Sequence, residues 1–133
     1  MVHRRSVLRL VTLGLPLLRT VLTGLGPRRV PVVLLETTVA GFRYHRGPTI
    51  EDTLHAGDPL ELVREPSNPF DPRAIAIHHP TGLRLGYVPR VVNLVPSNLL
   101  DQRMSLSARI IDVRPSPAPP WERLLIRIDL EEP

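Results

Sequence analysis

The chain of 133 residues contains no cysteine, and its 17 basic residues are all arginine, with no lysine anywhere. Without thiols there is neither a disulfide framework nor a thiolate metal site. Without lysine the phosphate-cradling run Gly-x-x-x-x-Gly-Lys-Ser/Thr does not occur, which excludes a P-loop ATPase. The nucleophile-elbow pattern Gly-x-Ser-x-Gly is also missing, so no acyl-transfer serine is marked. His45, His55, His78 and His79 have no carboxylate or thiol at ligand spacing, and Glu51, Asp52, Glu61 and Glu65 lie near no nucleophile that they would activate. No catalysis, no metal and no cofactor are expected. Aromatics are scarce as well: one Trp, two Tyr and two Phe make up the whole set.

Positive charge is unevenly divided along the chain. Arg4, Arg5, Arg9, Arg19, Arg28 and Arg29 precede residue 31 with no acid among them, and residues 31–133 hold 11 arginines against 13 acids, a net charge of −2. A generally basic surface, the usual source of nucleic-acid affinity, is therefore lacking after residue 30. Any such site has to be local. Arg43, Arg46, Arg73, Arg84 and Arg90 gather in mid-sequence, whereas Glu122, Asp129, Glu131 and Glu132 lie towards the C-terminus.

Residues 1–26 form a separate segment, with a domain expected over 27–133. Arg4-Arg5-Ser6-Val7-Leu8-Arg9 followed by the uncharged run Leu10 to Leu18 is similar to a twin-arginine export leader. That run is well short of the ~20 apolar residues that span a bilayer. No Ala-x-Ala cleavage site follows, so two readings stand side by side: a leader, or an amphipathic helix resting on the domain or on an anionic membrane. The helix implies a cytoplasmic protein; the leader implies an exported or membrane-associated one.

The remainder reads mainly as strands. Val32 to Leu35 and Thr37 to Val39 are rich in β-branched residues, and Gly41 then permits a bulge or a close backbone approach. Leu60 to Arg64 and Arg73 to His78 alternate like half-buried strands, and His79-Pro80-Thr81-Gly82 is a hairpin turn into Leu83 to Val88. Arg90 to Gln102 has a helical apolar pattern that predicts one helix interrupted near Pro96, with Ser97 capping a second turn. Leu106 to Ile110 and Leu124 to Leu130 flank the proline-rich loop Pro115 to Pro120 as a terminal antiparallel pair.

Between the second and third strands lies Arg64-Glu65-Pro66-Ser67-Asn68-Pro69-Phe70-Asp71-Pro72-Arg73. Three prolines fix their own φ and push each preceding residue towards extended geometry, so Phe70 and Asp71 travel a nearly predetermined path. A ring face and a carboxylate are thereby presented together. Gly41-Phe42-Arg43-Tyr44 and Gly86-Tyr87-Val88-Pro89-Arg90 each add aromatic and guanidinium groups between glycine and proline punctuation.

These three segments, with Ala74-Ile75, resemble the HIRAN domain family in order and spacing over roughly residues 31–130. The resemblance implies a modified OB-like β-barrel and recognition of single-stranded DNA, in the best-known member at a free 3′ end. Family members occur fused to helicase-like ATPases and as small bacterial proteins, which implies a separate ATPase or nuclease as partner for a stand-alone chain. Carried over by position, Arg43 and Tyr44 hold terminal nucleotides, Phe70 stacks on a base, Asp71 accepts a hydrogen bond from the terminal hydroxyl, and Tyr87 and Arg90 meet base and phosphate. Two positions depart from the DNA-binding member: Phe70 replaces a tyrosine and Tyr87 a histidine. The alternative is an exported or membrane-associated protein-interaction module that uses the same groove.

Overall fold

The computed structural model describes residues 30–45 and 47–132. The leader or helix expected over 1–26, and Arg46, lie outside the described residues. Residues Pro31–Pro133 form a compact unit, built on six strands: β1 Val32–Thr38, β2 Pro59–Arg64, β3 Ile75–His78, β4 Arg84–Tyr87, β5 Leu106–Val113 and β6 Leu124–Leu130. They form one antiparallel sheet in the order β1-β6-β5-β2-β3-β4.

The expected strands are present, and their side-chain alternation sets which face is buried. On β6, Leu124, Ile126 and Ile128 point into the core while the residues between them are only part-covered. On β3, Ile75, Ala76 and Ile77 are all fully buried, because this strand is covered on both faces. The core continues through Leu60, Leu85 and Ile110 to Phe42, whose ring is held down against Gly47. A Cβ at Gly47 would stand 2.1 Å from Phe42 Cε2, so only glycine fits there.

Closure of the sheet depends on β2 and on one bridge. The start of β2 pairs with β5 through Pro59 and Leu60, and the rest of it pairs with β3 from Glu61 to Arg64, so β2 turns the corner between two halves of the sheet. At the far edge, Tyr87 on β4 reaches Ala40, just past β1: each backbone N–H donates to the other's carbonyl at 2.9 Å. The chain just past the first strand in the sheet order thus meets the last strand, and the sheet curls into a half-barrel. Gly86 makes this meeting possible, since a Cβ there would lie 2.3 Å from the Ala40 carbonyl oxygen.

The helix after β4 differs from expectation. A 3-10 turn covers Arg90–Val92, and α-helix proper runs over Leu94–Asp101, so the interruption falls at Asn93 and not at Pro96. Pro96 sits in the first turn of that helix, where its missing N–H has no intrahelical partner to lose. Ser97 caps nothing; it is buried in the helix and its Oγ donates to the Leu94 carbonyl at 3.0 Å.

Replacing Gly86 with alanine is expected to lower folding stability by about 2–3 kcal/mol, towards the upper end of over-packing costs, because the obstructing atom is backbone. Urea denaturation of the variant measures it; an unchanged midpoint would show that the Ala40 to Tyr87 closure is not tight.

Candidate nucleic-acid interface

The proline turn between β2 and β3 is built as a set of nested side-chain caps. Asn68 Oδ1 accepts the backbone N–H groups of Phe70 at 2.9 Å and Asp71 at 3.2 Å. Asp71 Oδ1 in turn accepts the Arg73 N–H at 2.9 Å, the short-range Asx bond that favours such residues in turns. Asn68 Nδ2 reaches back to Glu65 Oε1 at 3.1 Å. The consequence is a rigid arch with Phe70 at its crest, 86% exposed. A core role for Phe70 is thereby ruled out; Phe42 is the phenylalanine of the core.

Two residues tie this arch to the rest of the fold. Arg64 donates through Nε and Nη2 to the Asp101 carboxylate at 2.8 and 3.0 Å, and through Nη1 and Nη2 to the carbonyls of Ala74 at 2.9 Å and Pro72 at 3.1 Å. Asn93, 1% exposed, donates from Nδ2 to Asp71 Oδ2 at 2.8 Å and to the Arg73 carbonyl at 3.1 Å. The arch is therefore pinned from below by Arg64 and from the side by Asn93. The break in the helix at Asn93 has a purpose here, since it turns that side chain towards Asp71.

Phe70, Asp71, Tyr87 and Arg90 line one groove of about 870 Å³, together with Glu65, Asn68, His45 and Arg84. Tyr44 lies beyond it, 82% exposed, on the wall of an adjoining hollow; the Arg43 guanidinium stands over the Tyr44 ring at 5.9 Å from its centroid. Four of the six residues selected from sequence thus share one groove. Arg43 and Tyr44 flank it across His45.

The groove floor carries a closed polar network. Tyr87 Oη donates to Glu65 Oε1 at 2.8 Å, Arg84 Nη2 lies 3.2 Å from Glu65 Oε2, and the Arg84 guanidinium covers the Tyr87 ring at 5.5 Å. His45 meets the same ring edge-on at 5.5 Å. Tyr87 is thus a wall, with one ring face taken by Arg84, while Phe70 is the free ring face. Burial and the Glu65 bond both push the Tyr87 phenol upward in pKa. Burial pushes the Glu65 carboxyl up, but the Asn68 and Tyr87 hydrogen bonds, with Arg84 and His78, outweigh it and leave it below its ordinary value. The Arg73 backbone bond, helped by Asn93, Arg90 and Arg73, lowers Asp71 in the same way. At neutral pH Asp71 is an ionised acceptor beside an exposed ring and the Arg90 guanidinium.

Such a site offers stacking, one accepting carboxylate and a nearby cation, and defines the unit as a small barrel with a binding groove. A family model for the HIRAN domain matches residues 32–132, and the chain belongs to that family, whose members are in general nucleic-acid-binding modules. Among solved structures, a protein from Lactobacillus plantarum is similar with a TM-score of 0.60 and 27% identity, over 75% of this chain and 97% of its own. The HIRAN domain of human HLTF aligns with a TM-score of 0.57 and 17% identity, over 74% of this chain and 77% of that one, a likeness of fold. No curated protein sequence matches the chain.

Arg64, Glu65, Asn68, Arg84, Asn93 and Asp101 complete the site and were not among the residues selected from sequence. Asn68 had a visible signal, an asparagine placed to cap the two N–H groups after Pro69. Arg64 and Asp101 had none, as 37 positions separate them.

The Arg64 bond holds Asp101 below its ordinary pKa, as the turn bonds hold Asp71. A carboxyl with a depressed folded pKa contributes stability above its unfolded value and loses it as pH falls through the folded value. Acidification through and below about pH 4 is therefore expected to loosen the arch. Carbon NMR titration of Asp101 checks it: Arg64→Lys, which lacks the planar fork, should move the Asp101 midpoint back towards that of a free carboxyl. An unmoved midpoint would contradict the clamp. Asn93→Ala, which leaves the Arg73 carbonyl short of a buried donor, should lower stability by about 1–3 kcal/mol in urea denaturation.

Proposed function

We propose that the groove binds the end of a single-stranded nucleic acid, with DNA carrying a free 3′ hydroxyl as the preferred ligand. The observation that carries this reading is the exposed Phe70 ring fixed beside the ionised Asp71. An unpaired base presents a π-face that a ring can stack on, worth roughly 1–3 kcal/mol per base, and binding needs little further order because the arch is already rigid. Asp71 retains acceptor capacity after its bonds to Arg73 and Asn93, since an ionised carboxylate offers about four lone-pair sites. A terminal hydroxyl donates to it; a terminal phosphate would repel it. Arg90 faces the same groove and supplies a cation for the first phosphodiester.

Phe70 keeps the stacking face without a phenol hydroxyl, so it supports stacking with no hydrogen bond to the base. Tyr87 has its hydroxyl committed to Glu65 and contributes shape. Base preference is accordingly expected to be weak. Arg43 and Tyr44 flank the groove where a longer strand would leave it. With a net charge of −2 over residues 31–133, affinity would come from this local constellation, and delivery of the strand to a separate ATPase or nuclease is a role that fits an end-binding groove.

A second reading, a protein-interaction module using the same groove, is favoured by Val91, 91% exposed, with Leu94 and Val95, which follow directly on Arg90 as an apolar surface.

Fluorescence anisotropy with short oligonucleotides separates these. Phe70→Ala should weaken binding about 5- to 150-fold, the equivalent of losing one stacked base, and a 3′-phosphorylated oligonucleotide should bind more weakly than one with a free hydroxyl. Equal affinity of wild type and Phe70→Ala, or no binding at low salt, would overturn the nucleic-acid reading.

A further inference from the structure

Beside the groove lies a second hollow of about 440 Å³, lined by Tyr44, His45, His78, Gly82 and Arg84. Groove and hollow share His45 and Arg84, so a strand leaving the groove past Tyr44 would enter it. The hollow's side-chain nitrogens are the Arg84 guanidinium, a donor, and the rings of His45 and His78, each of which donates from whichever nitrogen carries its proton. Arg84 and His78 are partners across β4 and β3 at a bulge in the register, and both line the hollow. His78 Nε2 is shielded from solvent and has no hydrogen-bond partner among the described residues. A buried polar atom left in that state is unfavourable, and a turn of the His78 ring that brings this nitrogen to an acceptor in the hollow would relieve it.

The charged neighbours are few. Glu65 pairs with Arg84 at 3.2 Å, and Glu61 is the cross-strand partner of His78 on β2. Glu65 is shared among Arg84, Tyr87 and Asn68, and a guanidinium carries five N–H donors, more than Arg84 uses on Glu65 while it lies over the Tyr87 ring. Arg84 can therefore keep its place over the Tyr87 ring and still donate to an oxyanion.

We propose that this hollow is a phosphate subsite: it takes the phosphodiester one linkage inward from the terminal linkage of the bound strand, with Arg84, His45 and His78 as donors. The proposal rests on the groove reading above and deepens it by fixing where the strand runs. It also gives His78 a ligand contact, and gives His45 and Arg84 one beyond their packing against Tyr87.

The test uses the full chain and a series of hexathymidylates with a free 3′ hydroxyl, each carrying one neutral methylphosphonate linkage at a defined position. Neutralising the linkage inward of the terminal one should weaken binding about 3- to 10-fold and reduce the slope of log affinity against log salt by about 0.7, the contribution of one phosphate on a single strand. In a His78→Gln background the same replacement should have a smaller effect, a coupling that loss of general stability does not produce. Equal methylphosphonate penalties in wild type and variant at every linkage would overturn the subsite and leave the groove reading intact. If no oligonucleotide binds, the groove reading fails, and inorganic phosphate then decides the hollow: displacement of the His45 and His78 ring resonances supports an anion site, and unmoved resonances overturn it.

Discussion

The guanidinium of Arg64 joins three parts of the chain that would otherwise be independent: the end of β2, the descending limb of the proline arch and the C-terminal end of the helix Leu94–Asp101. Its planar fork satisfies both Asp101 oxygens while two further N–H bonds hold the carbonyls of Pro72 and Ala74, a geometry that lysine cannot reproduce. Prolines limit where the arch can go, and this clamp, with Asn93 and the Glu65 to Tyr87 bond, fixes where it is. Preorganisation matters because every ordered side chain would otherwise subtract from the free energy of binding. A ring that is exposed on a fixed backbone is the useful kind.

The groove floor follows the same logic with different groups. Glu65 would be an obstacle to any polyanion if it stood alone, yet the Tyr87 hydroxyl, the Asn68 amide and Arg84 surround it. The acid on the groove floor is thereby paired, and Asp71 is left as the accepting carboxylate of the groove. The tyrosine at position 87 also ties groove to barrel: its backbone closes the sheet against Ala40 while its hydroxyl orders Glu65. Fold closure and site geometry share a residue.

Much of the fold was legible in the sequence because it is written in local patterns. The alternation in Leu124 to Leu130 and Leu60 to Arg64, and the Pro80-Thr81-Gly82 turn, announce strands and a hairpin within windows of a few residues. The arch was legible for the same reason, and so was the pairing of Phe70 with Asp71. What escaped was long-range or ambiguous. Arg64 and Asp101 look like unrelated surface charges until the chain folds, and Asn93 reads as one polar residue in a helical stretch. Pro96 was legible in principle: proline is at home in a first helical turn, so it marks where the helix begins more naturally than where it bends. Tyr44 and Phe70 proved similarly exposed, yet only the folded structure could separate one groove from the hollow next to it.

The central claim is that Phe70, Asp71 and Arg90 act together on the end of a strand. NMR titration of the isotope-labelled chain with a short single-stranded DNA bearing a free 3′ hydroxyl tests it most directly. The account predicts displacement of the Phe70 ring, Asp71 amide and Arg90 side-chain signals, with Phe42 and Ile126 unmoved. Displacements confined to surfaces away from the arch, or none at all, would contradict it.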